Sequence, residues 1–379
     1  MISNCNYKII FFLFIVLPLN IFAQFQYKKI EDSLLLPFNK KVEIKKIRST
    51  LFTKAKNLTD YLPKNFSKNG DVNYTKYLQK GIDDNKKVIL PDFPVMIDFG
   101  GLRLTSNSSV LFQENSKLLL QPNKEELYGM LYIEGVENVN VYFANLVGDR
   151  DNHQGNKGEW GMGFFIRNSK NVNIYNPTIT KMWGDGIYIG NLNDPSEKIE
   201  VNYAFIDNNR RNGISIVAGE NVIIKNSLIA NTYGAIPQAG IDIEPNNTRD
   251  YINNILLENI VTYNNADSGL IFALDNLQGN SLDRIKIDVN NFVDYFSNSG
   301  IDFYVDRGYN KFLKPLKGII SMKDIKLFKN KYPMRNSYST KSNMHVNFQN
   351  IKINNRKVNN NNLDIFVQKI KSGEEQIIK

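Results

Sequence analysis

The chain reads as an all-β solenoid, a stack of short parallel strands wound coil upon coil, and three observations predict it. A phrase of Gly, apolar, any, apolar begins at Gly186 (GIYI), Gly213 (GISI) and Gly240 (GIDI), in two steps of 27 residues. It extends to Gly129, Gly163, Gly269 and Gly300, so that successive steps are 34, 23, 27, 27, 29 and 31 residues. A second register, ENVNV at 137–141, KNVNI at 170–174 and ENVII at 220–224, repeats Asn138, Asn171 and Asn221 at one turn. Periods in this range mark units that cannot bury an apolar face alone and do so by stacking on their neighbours. Asparagines repeated at a turn stack and bond to the backbone, so that row is structural and carries no chemistry.

Taken in order, residues 1–24 hold an early Lys8, the apolar run IIFFLFIVLPLNIF and a small residue, Ala23. This reads as a signal peptide cut near Ala23 or Gln24, and the product is expected to be secreted or periplasmic. The alternative, a membrane anchor, is short of the about 20 apolar residues a span needs and is broken by Pro18 and Asn20. Cys5 is the only cysteine and precedes the run, so the mature chain is expected to lack disulfides and thiol chemistry. No later segment is apolar enough to cross a bilayer. Net charge is +9, with Lys and Arg scattered rather than gathered in a stripe. That pattern argues against nucleic acid and for a solvated surface that helps attract an acidic polymer.

Residues 25–60 are charged and weakly periodic, and read as a leader or linker. From Tyr61, Asn73 is placed to cap a helix carrying Tyr74, Tyr77, Leu78 and Ile82 at helical spacing, and VILP, MIDF and VLFQ read as strands. A helix across an open solenoid end covers exposed apolar side chains and unpaired strand edges. The solenoid body is expected over 61–305, with strands and a cap over 306–379.

Strand alternation turns Ile187, Ile189, Ile214, Ile216, Ile241 and Ile243 inward. The outward set is then Tyr188, Ser215, Asp242 and Glu244, with Asp185 and Asn212 just before their glycines. Parallel strands about 4.8 Å apart put Asp185 and Asp242 about 10 Å from one another, and Asp242 and Glu244 share a strand face about 6.6 Å apart. Such spacings suit two carboxylates acting on a glycosidic bond. An inverting hydrolase needs about 6.5–9.5 Å between them and a retaining one about 5–5.5 Å, so inversion fits better. The bland alternative is that outward carboxylates are solvated and that Asp185, before a glycine, is a turn residue.

The longest step contains an insertion, GDRDNHQGNKGEWG at 148–161, and long solenoid loops often form the binding face. It supplies His153 as a proton-transfer candidate, and Asp149, Arg150, Glu159 and Trp160 as substrate contacts. Trp183 and Tyr188 are candidate plates for sugar rings. Arg210 and Arg211 could hold a uronate carboxylate by paired hydrogen bonds, or serve as surface charge. The catalytic candidates are therefore Asp185, Asp242, Glu244, Arg211 and His153.

The N-terminal order of capping helix, VILP strand and short strands resembles the pectate-lyase-like superfamily, which implies a single-stranded right-handed parallel β-helix with an N-terminal capping helix. WGDGIYI and RRNGISI resemble the region of polygalacturonase-type glycoside hydrolases that carries a Gly-Asp motif and a Gly-rich strand start on the next coil. The resemblance implies inverting hydrolysis and a catalytic role for Asp185. The family's asparagine-any-aspartate triplet is met only by Asn176-Pro177-Thr178, without its acid, its paired aspartates are reduced to Asp185, and its Gly-His-Gly is replaced by Arg211-Asn212-Gly213. The likeness thus covers the fold over about 60–305 and the reaction class, and pectin does not follow from it.

Three readings follow. The first is a polysaccharide hydrolase that uses Asp185, Asp242 and Glu244 and needs no cofactor. The second is a lyase or C5-epimerase for a uronic-acid polymer, with His153 or Arg211 removing the C5 proton; it requires cations to outnumber acids, or a bound Ca²⁺. The third is a non-catalytic glycan-binding or surface scaffold.

Overall fold

The computed structural model describes residues 25–34, 40–277, 285–304, 316–336, 343–372 and 376–378. The expected export signal and Cys5 lie outside the described residues. Two long parallel sheets run the length of a β-solenoid of about eight turns. One sheet carries the glycine phrases, and its register is continuous from coil to coil. Phe164, Ile187, Ile214, Ile241, Leu270, Ile301 and Met334 pair in succession and are buried in the core. On the opposite face of the same strands Phe165, Tyr188, Ser215, Asp242, Ile271, Asp302 and Arg335 form an outward column. The isoleucines therefore point inward and the polar residues between them outward, as the alternation requires.

The glycines that open the phrases are explained by stacking rather than by backbone freedom, since none of Gly163, Gly186, Gly213, Gly240, Gly269 and Gly300 has a positive φ. A Cβ on Gly186 would lie 2.7 Å from the carbonyl oxygen of Gly213, one on Gly213 would lie 2.6 Å from that of Gly240, and one on Gly240 would lie 2.7 Å from that of Gly269. Each coil thus leaves no room for a side chain against the next. The asparagine row is structural too. Asn171 Nδ2 donates to Asn138 Oδ1 at 2.7 Å and Asn254 Nδ2 to Asn221 Oδ1 at 2.5 Å, and all four residues are left-handed. Asparagine tolerates that conformation and offers a donor and an acceptor to its stacked copies.

Three helices are described: α1 (Lys40–Leu51), α2 (Thr75–Asp84) and α3 (Asn360–Ser372). Helix α2 lies over the first coil, with Leu78 and Ile82 buried, and Asn73 Oδ1 accepts from the Thr75 N–H at 2.9 Å. Residues 25–34 and 40–60, expected as a leader or linker, make packing contacts with the body. Helix α1 buries Ile44, and its Arg48 donates to Gln113 at 2.6 Å; Ile30 is buried against Leu228, Ala230 and Tyr263. Weak periodicity hid this because the segment contacts the solenoid through a few isolated apolar residues. The strands also run on past residue 305. Lys317–Phe328 pairs in parallel with Ile285–Tyr295 and with Asn343–Ile353, although Pro333 takes the place of the next phrase glycine. At the far end Phe366 of α3 is fully buried beside Phe303 and Phe348.

Substituting Gly213→Ala is expected to lower the unfolding free energy by about 1–3 kcal/mol through overpacking. Chemical denaturation measures this, and a variant as stable as the parent would mean that the coils do not stack so closely.

Candidate active site

The densest cluster of charge on the outer face of the glycine sheet is centred on Arg211. The chain enters the strand Asn212–Ile216 at this residue, so its guanidinium lies over the outward column between the coils of Asp185 and Asp242. Nη1 donates to Asp185 Oδ2 at 3.1 Å and Nη2 to Glu244 Oε1 at 2.7 Å, while Nε lies 4.0 Å from Glu159. Beneath it, Ser215 Oγ donates to Asp185 Oδ2 at 2.8 Å and the Asn212 N–H to Asp185 Oδ1 at 3.0 Å. Asn212 Nδ2 reaches both Ser215 Oγ, at 3.0 Å, and Asp242 Oδ2, at 3.3 Å. Asp185 and Asp242 therefore belong to one network on one flank of the solenoid. Both are fully buried, whereas Arg211, Glu244 and Glu159 keep 10%, 19% and 37% of their side-chain surface.

Burial dominates the proton affinities. It pushes Asp185 up to about 6, against the attraction of Arg211 and the hydrogen bond from Ser215. It pushes Asp242 well above the ordinary carboxylate range, and the charge of Glu244 beside it adds to the rise. Burial acts on Glu244 in the same direction, but the hydrogen bond from Asp242 and the Arg211 guanidinium outweigh it and hold Glu244 below its usual value. The two carboxyls are thus driven in opposite directions, with the proton favoured on Asp242, whose Oδ1 is buried without a hydrogen-bond partner among the described residues. Two carboxyls driven apart in this way are the electrostatic form of an acid beside a base.

Asp242 and Glu244 interact electrostatically on one strand face, and Asp185 lies across the guanidinium from Glu244.

The insertion is placed differently from its expected role. His153 is fully buried; its Nδ1 lies 2.8 Å from Asp149 Oδ2, and its ring stacks 4.0 Å from Trp183. Asp149 also accepts from Tyr128 at 2.6 Å and from Asn123 at 3.0 Å. The Arg210 guanidinium lies 3.8 Å over Trp183 and donates to the Gly158 carbonyl at 3.0 Å. Arg150 donates to the carbonyls of Asn208 and Asn209 and stacks 3.5 Å from Tyr233. Asp149, Arg150, His153, Trp183 and Arg210 therefore bind the loop to the coil. Trp183 is thus occupied by His153 and by Arg210. Glu159 and the exposed Trp160 remain at the rim, and Tyr188 packs edge-on against Phe165 at 5.2 Å beside Asp185.

Asn212 and Ser215, which bridge the two aspartates, were visible in the outward column but carried no motif. Two coils beyond Asp242, Arg335 donates to Asp302 at 2.8 Å, and Ser268 and Ser299 donate to Asp302 at 2.6 and 2.5 Å. An arginine over a buried aspartate thus recurs on this face. Arg335 also donates to Asp267 at 3.2 Å, and what sets the Arg211 cluster apart is the opposed shift of Asp242 and Glu244.

Solved structures with similar backbones are right-handed parallel β-helix proteins. An iota-carrageenase complexed to iota-carrageenan fragments superposes with a TM-score of 0.60 at 12% identity, covering 80% of this chain and 89% of that one. The polygalacturonase of Erwinia carotovora ssp. carotovora gives 0.57 at 13% identity, covering 76% and 92%. The A-module of an Azotobacter vinelandii mannuronan C-5 epimerase gives 0.58 at 15%, covering 79% and 75%.

The chain is a right-handed parallel β-helix.

No family model matches the sequence. Two uncharacterized proteins of Bacillus subtilis strain 168 are similar to part of it. YorA, of SPbeta prophage origin, is 29% identical over 163 residues, and YclG is 28% identical over 160. Each match covers 38% of this β-helix and little more than a quarter of the relative, 28% and 27% respectively. No helix among the described residues is long and apolar enough to cross a membrane.

The raised value of Asp185 fixes a sign for stability. The unfolded carboxyl releases its proton near 3.8 and the folded one near 6, so between these values the unfolded chain binds fewer protons. The contribution of Asp185 to stability is then whole below about pH 4 and falls as pH rises through about 6. Denaturation of Asp185→Asn across this window is expected to show a smaller decline than the parent; an identical decline would mean that Asp185 is not held protonated.

Proposed function

We propose that this β-helix is an exported carbohydrate-active enzyme that hydrolyses glycosidic bonds of a polysaccharide. The observation that carries the reading is the opposed protonation of Asp242 and Glu244 beside a third carboxyl, Asp185, around one guanidinium. Asp242 passes its proton to Glu244, the more exposed member, which gives it to the leaving glycosidic oxygen. Asp185, ionised above about 6, accepts a proton from the attacking water, whose hydroxyl bonds to the anomeric carbon as the glycosidic C–O bond breaks. Arg211 covers both acids at rest, so a sugar chain must draw it aside, and the hydroxyls of the substrate replace the contacts it loses. Four acids, Asp185, Asp242, Glu244 and Glu159, surround Arg211. That balance favours hydrolysis over a lyase or epimerase reaction, which needs cations in excess. The carrageenase and polygalacturonase among similar folds are in keeping with this reading.

One observation favours a non-catalytic glycan-binding role instead, namely that Asp185 and Asp242 are wholly buried against Arg211, Ser215 and Asn212. A depolymerisation screen on neutral and acidic glycans separates the two. Asp242→Asn and Glu244→Gln are each expected to lose about 10²–10⁴-fold in rate. New reducing ends without ultraviolet-absorbing unsaturated sugars identify hydrolysis. Equal activity in the parent and the Asp242→Asn variant would remove Asp242 from the mechanism.

A further inference from the structure

A cleft of about 320 Å³ opens at the start of the glycine sheet, lined by Asp98, Phe99, Gln121, Lys124, Glu125 and Gln154. Its volume falls at the lower end of the range of about 300–1,000 Å³ in which small-molecule sites are found. Phe99 is 47% exposed and turns an aromatic ring into the lining of this cleft. Around it stand side chains of every hydrogen-bonding kind: the donor Lys124, the acceptor Glu125, and the amides of Gln121 and Gln154, which do both. A flat apolar plate ringed by mixed donors and acceptors matches the two surfaces of a sugar ring, its C–H face and its hydroxyl edge.

The cleft shares a wall with the candidate active site. The 148–161 insertion contributes Gln154 to the cleft and Glu159 to the rim beside Arg211. Asn123, at the cleft floor, donates to Asp149, which holds His153 against Trp183, so the loop is braced between the two places. Leu127 and Trp160, paired on adjacent coils and exposed by 56% and 43%, lie between them. From the strand of Leu102 to that of Ile214 the register advances through Leu131, Phe164 and Ile187. Four steps at about 4.8 Å each span about 19 Å, more than one sugar ring covers.

We propose that the Phe99 cleft is a distal subsite that holds one sugar unit of a glycan chain running over Leu127 and Trp160 to Arg211. This rests on the hydrolase reading for the far end of the track, although binding in the cleft does not need catalysis. The favoured occupant is a neutral, hydroxyl-rich unit, because Lys124 faces two acids, Asp98 and Glu125, and a polyanion would meet net negative charge.

Affinity electrophoresis of the full chain through gels containing neutral xylan, neutral galactan, polygalacturonate or alginate tests this. Retardation is expected in at least one neutral gel, and Phe99→Ala is expected to weaken it about tenfold. Phe99 is half exposed, so the variant should keep its melting temperature; Gln154→Ala, a second change on the opposite wall, should weaken binding in the same gel. Retardation by acidic polymers alone, retardation undiminished in both variants, or none in any gel would overturn the subsite. Asp242→Asn, run alongside, is expected to bind like the parent without turnover. If it turned over normally, the catalytic reading would fall and the subsite would stand.

Discussion

The constraint on which the molecule depends is the close approach of one coil to the next. Glycines at Gly186, Gly213 and Gly240 let each carbonyl sit where a Cβ would have to be, and that contact locks the parallel register. Once the register is fixed, the side of every neighbouring residue is fixed with it, because a one-residue slip would turn Ile214 outward and Ser215 into the core. The inward column is then a continuous apolar stack, and the outward column collects whatever polar groups the strands carry.

That column is why buried charge is concentrated on one face. Asp185 and Asp242 lie where neighbouring coils and loops exclude water, and an isolated ion there would be costly. The chain meets this in two ways. Arg211 divides its guanidinium between Asp185 and Glu244, and Asp242 keeps its proton. The same low-dielectric surroundings that make the cluster costly also separate the proton affinities of its acids, so structural burden and chemical capacity have one origin. Arg335 is likewise divided between Asp302 and Asp267, so an arginine shared by two acids is a repeated way of packing this face.

The fold was legible in the sequence because its signal is periodic, and periodicity survives without knowledge of any contact. The phrase glycines, the inward isoleucines and the asparagine rows all follow from strand alternation and stacking. Part of the site was legible for the same reason, since Asp185, Asp242, Glu244 and Arg211 were located by register. The insertion was not. Whether His153 and Trp183 face a substrate or each other depends on how an irregular loop folds back, and no repeat encodes that. Helix α1 escaped notice since it touches the solenoid through Ile44 and few other apolar side chains.

The most direct test of the Arg211 cluster is a carbon-13 NMR titration of the side-chain carboxyls, with Asp242→Asn and Glu244→Gln used for assignment. Asp242 is expected to keep its proton well above the ordinary carboxylate range, while Glu244 ionises below its usual value. Two carboxyls that both titrate near 4, as exposed acids do, would contradict the opposed shifts and the acid–base chemistry drawn from them.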